Sequence, residues 1–364
     1  MTLQCGIVGL PNVGKSTIFN ALTAAGIQAE NYPFCTIEPN AGVVEVPDAR
    51  LAALDGIVHA ERVLPATVEF VDIAGIVKGA SKGEGLGNKF LANIRETHAV
   101  VHVVRCFEDE NVVHVEGAPD PARDIETIDV ELGLADIETL EKRLDRATRQ
   151  AKSGDKDAQA EKAFFTGLLE HLSQGEPVRT YEVPEAMEAA VRECHFLSAK
   201  PVLYVANVDD ASLADGNEYS RVVEEHAAAS RAGATRICGQ VEAELAELDD
   251  DDKRAFLDDM GVEEPGLDRL IRAAYELLDL ITFLTAGEQE VRAWTIHRGD
   301  LAPVAAGAIH SDFEKHFIRA EVILFEDYIS AGGEAGAKAK GVLRIEGKDY
   351  EIQDGDVVHF RVGV

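Results

Sequence analysis

Near the N-terminus, Gly9-Leu10-Pro11-Asn12-Val13-Gly14-Lys15-Ser16-Thr17 carries the spacing G-x-x-x-x-G-K-[ST]. That spacing does one kind of chemistry. Gly9 and Gly14 let the backbone curl round an anion, so that the amides of Asn12, Val13, Gly14, Lys15, Ser16 and Thr17 point at the α- and β-phosphates of a nucleotide. Lys15 reaches the β/γ oxygens, in a binding and a catalytic role, and the Ser16 hydroxyl takes a place on Mg²⁺. A second stretch, Val68-Glu69-Phe70-Val71-Asp72-Ile73-Ala74-Gly75, ends in D-x-x-G. There Asp72 would hold Mg²⁺ through water and the Gly75 amide would sense the γ-phosphate. Between the two, Thr36 lies in a loop with prolines at 33 and 39 and is the candidate for a further Mg²⁺ ligand.

The residue after Gly75 is Ile76, where nucleotide switches carry a glutamine that orients water. An apolar side chain cannot align water, so hydrolysis should be slow or use another group. His114, in the polar stretch 108–117, is expected to be exposed and is a candidate to turn toward the γ-phosphate. At the base end, Asn207-Val208-Asp209-Asp210 stands where guanine readers have N-K-x-D. The lysine is replaced by Val208, while the acid, Asp210, is kept. Ser198-Ala199-Lys200 imitates the other guanine-loop tripeptide but precedes its strand, so it is a decoy; the final loop should contain 239–241.

These residues need a framework. Residues 5–8 read as a short buried strand and 18–22 as the helix that follows the phosphate loop. Residues 42–46 and 68–75 read as further strands, and the glycine-rich run 78–87 as a mobile switch leading into a helix over 88–97. The β-branched run 99–107 lacks alternation, as expected of a parallel strand covered on both faces, and His102 within it reads as packed. The pattern predicts an α/β fold with a mostly parallel sheet and helices on both faces. Ile137, Leu140, Leu144, Ala147 and Ala151 then recur in steps of three and four, a coiled-coil seam. After a break at 153–155, Ala160, Ala163, Phe164, Leu168 and Leu172 should form a second helix. The two make a helical arm inserted in the nucleotide domain. Its basic cluster, Lys142, Arg143, Arg146, Arg149 and Lys152, is either a solvated face or a contact for an anionic partner. A helix over 266–281 closes the first part. The remainder, with a strand at 291–296 and an amphipathic helix at 311–318, suggests a β-grasp.

The chain has 364 residues, 46% of them hydrophobic and 28% charged, which fits a globular protein of two or three domains. The net charge of −31 argues against a broad nucleic-acid face, hence against free DNA, and against anionic membranes. No apolar run reaches spanning length and no signal-peptide pattern opens the chain. Five cysteines, none in a C-x-x-C pair, suit reduced thiols, and the expected location is cytoplasmic.

The ordered motifs resemble the YchF (Obg-like ATPase) family, in the Obg branch of translation-factor-class P-loop proteins. The carrying residues are 6–17, 31–40 and 72–87, with the helical arm and the tail from Asp312-Phe313-Glu314-Lys315 to Asp354-Gly355-Asp356-Val357. The resemblance spans essentially the whole chain. It implies a nucleotide domain at 1–123 and 200–280, an inserted arm at 124–199 and a TGS (β-grasp) domain at 281–364. It also implies a slow, Mg²⁺-dependent ATPase that prefers ATP to GTP, partners the ribosome or its large subunit, and acts in translation or redox stress. Val208 would sit beside adenine, with Asn207 and Asp210 as the other base readers. Ile76 matches the family's missing glutamine, His114 its proposed catalytic histidine and Cys35 a cysteine linked to redox sensitivity; an uncharged loop thiol is inert unless something lowers its pKa. The family usually ends its base motif in Glu, whereas this chain has Asp210. Two other classes of function fit the same motifs: a GTPase that assembles ribosomes, and a nucleotide-gated adaptor for a stress enzyme.

Overall fold

Cys5-Gly6-Ile7-Val8 has no charged side chain, and it forms the buried part of β1 (Gln4–Val8). The computed structural model describes residues 3–24, 40–73, 86–152 and 154–363. The expected switch residues Cys35, Thr36, Gly75, Ile76 and 78–85 lie outside that set. The chain divides into two compact units, 1–43 with 69–274 and 44–68 with 275–364.

In the first unit β1 leads through the phosphate loop into α1 (Lys15–Ala24), and β2 (Ala41–Glu45) follows. Next come α2 (Ala49–Val58) and β3 (Val63–Leu64), which belong to the second unit, then β4 (Thr67–Asp72), α3 (Leu86–Glu96) and β5 (Ala99–Cys106). The arm consists of α4 (Pro121–Ala151), α5 (Lys156–Ser173) and α6 (Glu185–Cys194). It returns to β6 (Val202–Val208), α7 (Glu218–Ala229), β7 (Gly233–Ile237), α8 (Gly239–Leu245), α9 (Asp250–Asp259) and α10 (Gly266–Leu277). The sheet order is β2-β4-β1-β5-β6-β7. β1 runs parallel to β4 and β5, β5 to β6, and β6 to β7. This is the expected P-loop α/β arrangement, and it brings the C-terminal ends of β1, β4, β5 and β6 to one edge, where ligands of such sheets bind.

The arm packs as the 3.6-residue period requires. Leu140, Phe165, Leu168, Leu172, Val178 and Phe196 form its core. On α5 the buried stripe keeps Leu168 and Leu172 of the expected seam but differs in its first half. Ala160 and Ala163 are exposed, whereas Ala158 and Phe165 are buried; 158, 165, 168 and 172 keep a single face in steps of seven, three and four. Arg143 and Lys142 of the basic cluster are paired inside the arm, with Glu161 at 2.5 Å and Glu138 at 2.9 Å, while Arg146, Arg149 and Lys152 are exposed. At the arm's root Asp136, fully buried, accepts from the Leu197 amide (2.7 Å), the Ser198 amide (2.8 Å) and the Ser198 hydroxyl (2.6 Å). The decoy tripeptide therefore begins at an anchor that ties the end of the arm to α4. Its last residue, Lys200, donates to the carbonyls of Arg95, in the last turn of α3, and Thr97, just beyond that helix.

The second unit contains β8 (Leu280–Ala286), β9 (Val291–His297), α11 (Ala302–Ile309), α12 (Ser311–Lys315), β10 (Phe317–Ile323), α13 (Phe325–Ala331), α14 (Glu334–Lys340), β11 (Arg344–Glu346) and β12 (Val357–Val362). Its sheet, β11-β10-β12-β8-β9-β3, is mixed. Ala302, Ala305 and Ala306 of α11 pack on Phe283, Phe317, Val322 and Phe360. Two boundaries differ from expectation. α10 stops at Leu277, because Asp279 takes a left-handed conformation (φ 55) and Leu280 and Ile281 enter β8. The helix expected over 311–318 ends at Lys315, because Phe317 is buried in β10 opposite Val362. Among the described residues no helix is long and apolar enough to cross a membrane.

Glu321 on β10 accepts from Arg361 at 2.8 Å and Arg319 at 3.0 Å. The Arg361 guanidinium, helped by Arg319, holds its carboxyl down to about 2. An unfolded glutamate titrates near about 4.3, so this stabilisation is complete above that pH and is lost as pH falls through the folded value. Denaturant midpoints of parent and Glu321→Gln should differ at pH 6 and converge between pH ~4 and ~2. A difference independent of pH would show that packing, not charge, is involved.

Candidate nucleotide site

The phosphate loop is held by contacts its sequence dictates. A Cβ at Gly9 would stand 2.7 Å from the Val103 carbonyl oxygen, so the loop lies against β5 only as glycine. Gly14 has φ +92, and a Cβ there would meet the Asn207 amide nitrogen at 2.1 Å. Asn12 also takes a left-handed conformation (φ 62), which Asn tolerates better than most residues. Its Nδ2 donates to the Val113 carbonyl at 3.0 Å.

Lys15 forms an ion pair with Asp72 Oδ1, with both side chains largely covered. The register explains it: Asp72 pairs with Ile7 across β4 and β1, which sets the end of β4 beside the start of the loop. Asn12, Gly14, Lys15, Ser16 and Thr17 line a cleft of about 770 Å³ with Asn207, Val208 and Asp210, a volume suited to a nucleotide. Val13 does not line it, being buried beneath the loop. Hydroxyl and carboxylate oxygens at Ser16 and Asp72 are the donor type Mg²⁺ takes, and the two residues stand at Lys15 from either side, in sequence and by ion pair.

Asn207 lines the cleft and is also bonded at both ends of its amide. Its Nδ2 donates to the Val13 carbonyl at 2.8 Å, and its Oδ1 accepts from the Gly239 amide at 3.0 Å. It is a buried strut between the phosphate loop and the start of α8. Val208 is buried in the cleft wall, and Asp210 is exposed, its Oδ1 accepting from the Ala211 amide at 2.8 Å. Phe107, Glu108, Asp109 and Val112 complete that wall.

Arg105 was not among the residues the motifs single out, yet it builds this wall. It is 1% exposed, in a strand whose other residues are apolar except for His102. It donates to the carbonyls of Phe107 (3.1 Å), Asp109 (3.2 Å) and Val112 (2.9 Å), and its guanidinium lies 4.6 Å from the Phe107 ring centre. A lone arginine in a buried strand must find acceptors; here the next loop supplies them.

His114 departs from the expected exposure. Its side chain is only 1% exposed, in the tight turn closed by the Gly117 amide on the His114 carbonyl at 3.1 Å. Nδ1 accepts from the Glu116 amide at 3.2 Å, and Nε2 lies 2.9 Å from Asp124 Oδ2. The reason is local: Asp124 falls in the first turn of α4, which starts directly after the 108–117 stretch, capped by Asp120 and with Pro121 at its start. His102 is packed as expected, and burial lowers its pKa to about 4. Burial raises the thiols of Cys5, to about 12, and of Cys106 and Cys238; the described cysteines are free.

Residues 280–363 match a YchF GTPase C-terminal family model, described as a protein of unknown function, and residues 4–144 match the model of a 50S ribosome-binding GTPase. The chain is similar to the ribosome-binding ATPase YchF of Pasteurella multocida, 57% identical over 364 residues and all of both chains. The relative of that name from Bacillus subtilis is 54% identical over 366 residues, again all of both chains. Among solved structures, the Schizosaccharomyces pombe YchF GTPase superimposes with a TM-score of 0.88 at 33% identity, covering 99% of this chain and 98% of that one.

Proposed function

This chain belongs to the YchF family, and on that premise we propose that it is a ribosome-binding ATPase whose nucleotide sits in the cleft at the N-terminus of α1. The observation that carries this is the wiring of the phosphate loop, with Lys15 at the loop's end facing Asp72 and Asn207 bracing its floor. The amides of 12–17 bind the phosphates, and Lys15 exchanges its carboxylate partner for phosphate oxygens. Ser16 and Asp72, with Thr36 from the sequence, would hold Mg²⁺, which neutralises charge on the β/γ oxygens. Ile76 cannot orient water, so His114 takes that role in our reading. The cytoplasm, where ribosomes are, is the corresponding location.

ATP is the preferred nucleotide in this proposal because Val208 replaces the lysine that guanine readers have beside the base. The carboxylate of Asp210 is compatible with either purine, so the choice rests on Val208. Equilibrium titration with fluorescent ATP and GTP tests it. ATP should bind more tightly, and equal or tighter GTP binding would overturn the base assignment.

A further inference from the structure

The imidazole of His114 is bonded at Nδ1 and covered at Nε2. Nδ1 accepts the Glu116 amide hydrogen, so in the neutral ring the hydrogen is on Nε2; Nε2 lies 2.9 Å from Asp124 Oδ2 as a close charge contact outside hydrogen-bond geometry. Both side chains are nearly inaccessible, at 1% and 3%, and His114 does not line the nucleotide cleft, whereas Val112, two residues earlier, does. This differs from the triads in which a carboxylate orients a histidine. There the acid holds one nitrogen and leaves the other free to accept a proton. Here the ring's one accepting lone pair, on Nδ1, is taken by the Glu116 amide, and Asp124 stands against Nε2.

We propose that Asp124 is a positioning residue that retains His114 out of the cleft, so that hydrolysis requires the His114–Asp124 pair to separate. The proposal rests on the reading of His114 as the water-orienting group. Two contacts make the retained and released positions relevant to nucleotide. Asn12 of the phosphate loop donates to the Val113 carbonyl, so the loop that grips phosphate is tied to the residue next to His114. Asp124 itself is in the first turn of the arm helix, its Oδ1 held by Arg123 at 3.1 Å, so a force that tilts the arm acts on the carboxylate that holds the histidine. The pair is a two-state element that both sites can bias.

Asp124→Ala should raise the single-turnover rate of ATP hydrolysis about tenfold, equivalent to about 1.4 kcal/mol, with ATP affinity within about twofold of the parent. It should also speed modification of His114 by diethyl pyrocarbonate, followed on the His114 peptide by mass spectrometry. Asp124→Asn keeps the shape but removes the charge, so it should fall between, and it stands in if the alanine variant does not fold. His114→Ala in the Asp124→Ala background should abolish the gain. An unchanged or lowered rate in Asp124→Ala, with His114→Ala inactive, overturns the positioning role. If His114→Ala alone hydrolyses ATP at the parent rate, the catalytic reading of His114 has failed instead. Retention is then judged by modification alone, and equal protection in parent and Asp124→Ala overturns it.

Discussion

Replacing Lys15 by alanine should weaken ATP binding by about ten- to a hundredfold, the worth of hydrogen bonds to a charged partner. Two effects add. The variant loses the donor that meets the β/γ oxygens, and the cleft loses a cation where Glu108, Asp109, Asp209 and Asp210 line its walls. Asp72, now without its partner, adds a negative charge near the incoming phosphates. The folded state should change little by comparison, because the pair is at the cleft rather than in the core. Calorimetric titration of ATP against Lys15→Ala, with unfolding followed in parallel, separates the two. Parent-like affinity in a normally folded variant would remove the basis of the nucleotide site.

Ending the chain at residue 280 should damage far more than the tail. α2 and β3 lie between β2 and β4 in sequence, yet β3 pairs with β9, at Val63–Val291 and Leu64–Arg292, and α2 packs on β8, β9 and α13. Leu51 and Leu54 of α2 are buried, at 5% and 0% exposure. Each buried leucine contributes about 1.5–3 kcal/mol. Arg50 also loses Asp354, its partner at 2.9 Å. Limited proteolysis of the shortened chain should cut within 46–66, where the parent is protected. A soluble fragment with that stretch still protected would contradict this assignment of α2.

The sequence makes the phosphate loop legible because a backbone that wraps an anion needs glycine at fixed positions, and Gly9 and Gly14 show why in their close approaches. β5 and β6 were equally readable, since strands covered on both faces are mostly apolar and do not alternate. The placement of 44–68 with the second sheet was not, because β3 and β9 are more than two hundred residues apart and a two-residue strand leaves no periodic signal. His114 was misjudged for a related reason. A polar neighbourhood suggested exposure, but burial came from α4, whose first turn folds over the loop. On α5 the choice of Phe165 over Phe164 is a matter of one residue's rotation, about 100° about the helix axis, and two adjacent phenylalanines satisfy the pattern alike.

Asn207 has a consequence for how this protein can change. One side chain spans from the phosphate loop to the start of α8. In the proposed site, selectivity and grip would therefore not be tuned independently at that position: a replacement that alters which purine is welcomed should also slacken the hold on its triphosphate. Lineages that switch nucleotide should do so at 208 and 210, leaving 207 untouched.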